Sequence, residues 1–145
     1  MGQYWMPVNL TKREYINPHK LGSGLKLREQ IWNAGVGQAL VILTAAMPER
    51  RGGGDFEPAP IIGRWAGDRI AIVGDYAERS DLPDEDKADE IYTLCWASDP
   101  AFADSSEKPF TDVTDEVCAV IERELDGKFV GDGWRKFKPN DTKAF

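Results

Sequence analysis

The stretch Ile61-Ile62-Gly63-Arg64-Trp65-Ala66-Gly67-Asp68-Arg69-Ile70-Ala71-Ile72-Val73-Gly74-Asp75-Tyr76 decides how this chain is read. Two runs rich in β-branched and aromatic residues, 61–65 and 69–73, flank Ala66-Gly67-Asp68. Gly67-Asp68 supplies the positive φ that a tight connection between strands demands, so the pattern predicts a β-hairpin. On its second strand Ile70 and Ile72 share one face, while Arg69, Ala71 and Val73 share the other. Apolar residues on both faces predict a strand well inside a sheet.

Working upstream, Pro48 to Pro60 reads as a long loop containing Arg50-Arg51-Gly52-Gly53-Gly54-Asp55. Gln38 to Met47 is apolar almost all round, which predicts a buried helix, with a strand through Leu40 to Leu43 as the alternative. Gly35 and Gly37 interrupt the region before it. Leu25 to Asn33 predicts a short helix with Leu27 and Ile31 on one face. Tyr4 to Leu10 is a strand that Pro7 confines to an edge or a bulge, and Glu14 to Ile16 pairs with it. Downstream, Asp84 to Trp96 reads as a helix with an acidic start. Thr111 or Asp112 caps a further helix running to Asp126, with Val113, Val117, Val120, Ile121 and Leu125 on one stripe and Gly127 at its end. The tail from Lys128 to Phe145 carries Phe129, Trp134 and Phe137 and is expected to pack back on the domain. The expected fold is α+β: one compact domain over 1–145, an antiparallel sheet with a central hairpin at about 61–75, and about three helices.

The 145 residues, 41% hydrophobic and 30% charged, fit one globular domain and exclude a disordered chain. The longest apolar stretch, Ala39 to Met47 around Thr44, is too short to cross a bilayer. No charged and then apolar leader opens the chain, and Met6 breaks the myristoylation pattern after Gly2, so a cytoplasmic protein is expected. Cys95 and Cys118 form no CxxC and read as reduced core thiols. Charge is uneven. Residues 1–74 hold nine Lys/Arg against six Asp/Glu, residues 75–127 four against seventeen, and residues 128–145 five against two. So acidic a middle repels a phosphate backbone, which excludes duplex binding as the main task. It faces a basic protein partner or serves as a solvated surface.

Candidate chemistry lies in a few places. Gly22-Ser23-Gly24 before a helix, with Lys20, Lys26 and Arg28 nearby, suits a phosphate or carboxylate, although the same glycines also turn the chain. Arg50-Arg51-Gly52-Gly53-Gly54-Asp55 combines paired arginines with a backbone able to wrap an anion, or forms a mobile loop. His19, the sole histidine, is the only imidazole available as a general base. Asp55, Asp68 and Asp75 offer carboxylates, with Asp68 and Asp75 equally explained as turn and strand-end residues. Arg64, Trp65 and Arg69 suit stacking or cation–π contact, and Trp65 equally suits a core. Candidate ligand-binding residues are therefore Lys20, Gly22, Ser23, Gly24, Arg50, Arg51, Gly53, Asp55, Arg64 and Arg69, and candidate catalytic residues His19, Asp55 and Asp68. No metal site and no cofactor is expected.

Taken together, Met1-Gly2-Gln3-Tyr4, Asn17-Pro18-His19-Lys20-Leu21-Gly22-Ser23-Gly24-Leu25-Lys26-Leu27, Arg51-Gly52-Gly53-Gly54-Asp55, Gly63-Arg64-Trp65-Ala66-Gly67-Asp68-Arg69-Ile70 and Gly74-Asp75-Tyr76 resemble a family of small uncharacterised proteins. That family belongs to actinobacteria and their bacteriophages, especially phages of mycobacteria. The resemblance runs through most of the chain. It implies a phage or phage-derived protein in the host cytoplasm, and it carries no activity or catalytic residues with it. The expected function is that of an accessory protein that binds a host protein, through the acidic 75–127 segment, or a small anionic ligand. The alternative is a small enzyme acting on a phosphorylated or nucleotide substrate.

Overall fold

Strand β1, Trp5–Asn9, is the spine of the molecule. A computed structural model of the chain describes residues 2–46, 52–83, 87–96 and 109–125. In chain order the other elements are β2 (Glu14–Tyr15), α1 (Leu27–Trp32), α2 (Ala34–Thr44), β3 (Ile70–Gly74), α3 (Ala88–Trp96), β4 (Thr111–Asp112) and α4 (Thr114–Leu125). Single 3-10 turns sit at Pro18–Leu21 and Arg79–Asp81. The strand order is β3-β1-β2-β4. β1 runs antiparallel to both neighbours and β4 parallel to β2. The α+β class holds, with a mixed rather than wholly antiparallel sheet.

The expected hairpin is not there. β3 pairs with β1 in the register Trp5 opposite Gly74 to Asn9 opposite Ile70. Residues 61–67 instead form successive tight turns, with Ile62, Arg64, Ala66 and Asp68 each donating to the carbonyl three residues back. The reason lies in α2. A helix leaves its last carbonyls without partners, and here the N–H groups of Gly63 and Trp65 donate to Ile42 and Leu43 at 2.8 Å. Gly63 has φ 76°, and a Cβ there would come within 2.4 Å of the Ala45 carbonyl oxygen. Ile61 and Trp65, four apart, both turn inward. β3 accordingly lies at a sheet edge rather than inside, although Ala71 and Val73 do share one face.

Pro7 sits in the central strand, not at an edge. Ile16 donates to its carbonyl at 3.1 Å. Proline has no N–H to return that bond, so the β1–β2 ladder is cut to two paired positions.

The sheet separates two cores. Met6, Val8, Tyr15 and Val73 pack with Ile91, Leu94 and Cys95 of α3 and with Phe110. Ile16, Leu21, Ile61 and Trp65 pack with Val36, Ala39, Ile42 and Leu43 of α2 and the α4 stripe of Val113, Val117, Val120, Ile121 and Leu125. That stripe is as the sequence predicts. Each fully buried member, such as Val117 or Ile121, contributes about 1.5–3 kcal/mol.

α2 begins earlier than its apolar run. Asn33 accepts from the Gly35 N–H at 2.8 Å, which caps the helix start. Gly35 and Gly37 thus lie inside α2 rather than interrupting it. At Gly35 the Leu21 carbonyl oxygen would stand 2.0 Å from a Cβ, so only glycine admits this approach. Leu27 and Ile31 share a face of α1 that points outward, 41% and 72% exposed. α3 is shorter at its start than the expected 84–96 helix, residues 84–86 lying outside the described residues. The aromatic tail also lies outside them.

Candidate functional site

The candidate residues nearest in sequence to a phosphate-binding loop are fixed by one short turn. Asn17 accepts from the His19 N–H at 3.0 Å, and Gly22, with φ 77°, closes the 3-10 turn. The Lys20 ammonium donates to Asp112 at 2.9 Å and lies 3.3 Å from Asp115, at the start of α4. Burial opposes its charge, but the hydrogen bond to Asp112 and the two carboxylates outweigh it and hold the lysine above its ordinary range. Ser23 is buried and donates to the Gly24 carbonyl at 3.1 Å. His19 is exposed beside them.

A second cluster surrounds Glu14, which is buried in β2. Arg64 donates Nε to both carboxylate oxygens at 2.9 Å, and Trp65 Nε1 donates to Oε1 at 2.9 Å. The hydrogen bond to Glu14 raises the Arg64 pKa and holds the guanidinium charged. Trp65 is a fully buried core residue. In the third cluster, Asp68 accepts from Lys12 and from Asn9 Nδ2, the latter at 2.8 Å. The Lys12 bond first and the Asn9 bond second hold its carboxyl below the usual range. Arg69 ties its backbone to the β1–β2 turn, its N–H donating to Thr11 Oγ1 at 3.0 Å and its carbonyl accepting from Leu10.

Asp55 accepts from the Gly52 N–H at 2.7 Å, closing a small turn, and lines a cleft of about 310 Å³ with Ala45, Ala46 and Phe56. Gly53 is exposed on that turn. Arg50 and Arg51 lie outside the described residues. His19, Asp55 and Asp68 thus serve three different neighbourhoods rather than one catalytic group. Asp75 accepts from the Tyr4 N–H at 2.8 Å, as a strand-end residue does. Among the described residues no three His, Cys, Asp or Glu gather in a metal-holding group. Cys95 and Cys118 carry no disulfide. Burial pushes the Cys95 thiol far up and raises the Cys118 thiol to about 11.

Carboxylates of the acidic segment also have internal work. Asp81 accepts from the Glu78 N–H, Asp89 and Glu90 hold Arg79, and Glu124 accepts from the Glu57 N–H.

The surface that sequence reasoning missed is apolar. On α1, Ile31 and Trp32 are 72% and 68% exposed, with the Arg28 guanidinium 6.0 Å from the Trp32 ring. On α2, Val41 is 68% exposed above a groove. Among the described residues no helix is long and apolar enough to cross a membrane. Compared with known proteins, this chain matches no family, no curated protein and no solved structure.

Proposed function

We propose that this is a phage-type accessory protein of the host cytoplasm that acts by binding a host protein, with the end of α1 as its contact surface. The observation that carries the reading is the pair Ile31 and Trp32, adjacent and mostly exposed, extended along the helix by Leu27. An aromatic and an aliphatic side chain presented together to water form an anchor for a partner's apolar cleft. Lys26 and Arg28 are exposed beside them, so the fitting partner borders that cleft with carboxylates. A small anion finds less here. Lys20, Arg64 and Lys12 each already hold a carboxylate of this chain.

The test has two arms. Thermal shift against nucleotides, sugar phosphates and inorganic phosphate is expected to be flat. Capture of one host protein from mycobacterial lysate is expected to survive in the native chain and fall at least tenfold in Ile31→Asp with Trp32→Ala. A ligand-induced shift that Lys20→Ala abolishes would replace this reading with an anion site.

A further inference from the structure

β3 forms one side of the sheet, and its outer edge is open. At the two ends of its ladder with β1, the Leu10 N–H donates to the Arg69 carbonyl at 2.8 Å and the Asp75 N–H to the Tyr4 carbonyl at 2.9 Å. Main-chain polar groups alternate sides along a strand, so those of Arg69, Ala71, Val73 and Asp75 face β1 while those of Ile70, Ile72 and Gly74 face away from it. Pro7, which has no N–H, stands opposite Ile72 and takes nothing from the ladder. The Gly74 carbonyl accepts from the Ala77 N–H at 3.1 Å. Among the described residues no hydrogen bond reaches the N–H or carbonyl of Ile70 or Ile72. Neither proline nor charge, the usual protections of an edge, interrupts Ile70–Gly74. A cleft of about 340 Å³ against Trp5, Ile72, Gly74 and Tyr76 leaves room for an approaching strand at the Gly74 end. What such an edge accepts is another extended backbone.

We propose that the occupant is β3 of a second copy of this chain, paired antiparallel about a twofold axis at Ile72. The strand itself selects this register. It lays the whole of Ile70–Gly74 on its counterpart. Ile72 of each copy donates to and accepts from Ile72 of the other, and the Gly74 N–H donates to the second copy's Ile70 carbonyl. The half-buried Ile72 side chains then meet on one face of a continuous sheet. The same register sets Arg69 opposite the second copy's Asp75 at both ends, and both residues are exposed. Opposite charges at matched distances from the axis are what a self-complementary edge requires. The inference is independent of the α1 contact surface, which lies on another element.

Sedimentation equilibrium of the full chain over a range of concentrations tests this. The native chain is expected to form a reversible dimer, and dilution should speed solvent exchange of the Ile72 amide about tenfold. Ile72→Pro removes that N–H without touching the β1–β3 ladder, so it should stay monomeric with unchanged circular dichroism. Arg69→Glu and Asp75→Lys each set like charges opposite one another and should weaken self-association roughly tenfold. An equal mixture of these two variants places opposite charges at both ends of a mixed pair and should associate as strongly as the native chain. A native chain that remains monomeric to about 1 mM overturns the proposal. So does a dimer that the charge variants and their mixture leave unchanged. An Ile72 amide as protected in dilute monomer as at high concentration also overturns it, by putting a segment of the same chain on this edge.

Discussion

The indole N–H of Trp65 meets the Glu14 carboxylate at 2.9 Å, so the largest fully buried side chain among the described residues and a buried charge from β2 hold each other in place. Arg64 supplies the countercharge from the adjacent position, with its own side chain 42% exposed. Only the carboxylate of this pair is buried, so neutralising it removes a charge-assisted bond while Arg64 keeps its access to water. Glu14→Gln should lower unfolding free energy by about 1–3 kcal/mol in urea denaturation, whereas Trp65→Phe adds a lost hydrogen bond to a smaller ring. A Glu14→Leu, Arg64→Met double variant should lose more than Glu14→Gln alone, because glutamine keeps an acceptor for the buried Trp65 N–H and leucine does not.

Two ion pairs give pH dependence of opposite sign. Asp68 is held below its ordinary pKa by Lys12 and Asn9, so its contribution is present above the unfolded value and is lost as pH falls through the folded one. Lys20 is held above its ordinary value by Asp112 and Asp115, so its contribution is complete below the unfolded pKa and fades as pH rises through the folded one. Melting curves of Asp68→Asn should therefore converge on the native protein's in acid. Those of Lys20→Met should converge in alkali.

Two glycines should be irreplaceable and a third dispensable. Gly35→Ala drives a methyl into the Leu21 carbonyl, and Gly63→Ala combines positive φ with a clash at Ala45. Each should cost more than about 2 kcal/mol. Gly53 has nothing within 4 Å of where a Cβ would stand, so Gly53→Ala should move the melting temperature little.

The α1 contact surface predicts a separation of stability from binding. Ile31→Asp and Trp32→Ala remove solvent-facing atoms and should leave unfolding free energy within about 0.5 kcal/mol of the native value. A Trp32→Ala loss of about 2 kcal/mol in binding, roughly thirtyfold in Kd, is expected with any partner that uses this face.

How much of this was legible from sequence depended on whether the decisive partner was local. The α4 stripe needs only helical spacing, and every member is buried. The sharing of a face by Ala71 and Val73 needs only strand alternation. Ile61 to Trp65 misled because the N–H groups of Gly63 and Trp65 donate to carbonyls of α2, about twenty residues away, which no local pattern reports. The candidate charges were read by residue type, and their occupants come from far along the chain: Lys20 from Asp112, 92 positions on, and Asn9 with Asp68, 59 positions on. Leu27 and Ile31 show the same limit, since a spacing of four looks identical whether the face meets core or water.

The placement of β1 has a consequence for synthesis. Its longer neighbour, β3, lies 61 residues further on, between Asn9 and Ile70. At roughly 5–20 residues per second, about 3–12 s pass between the ribosome adding one strand and adding the other. During that interval β1 has at most the two residues of β2 to pair with, so the sheet is assembled late, by a strand that has to wait for its mate.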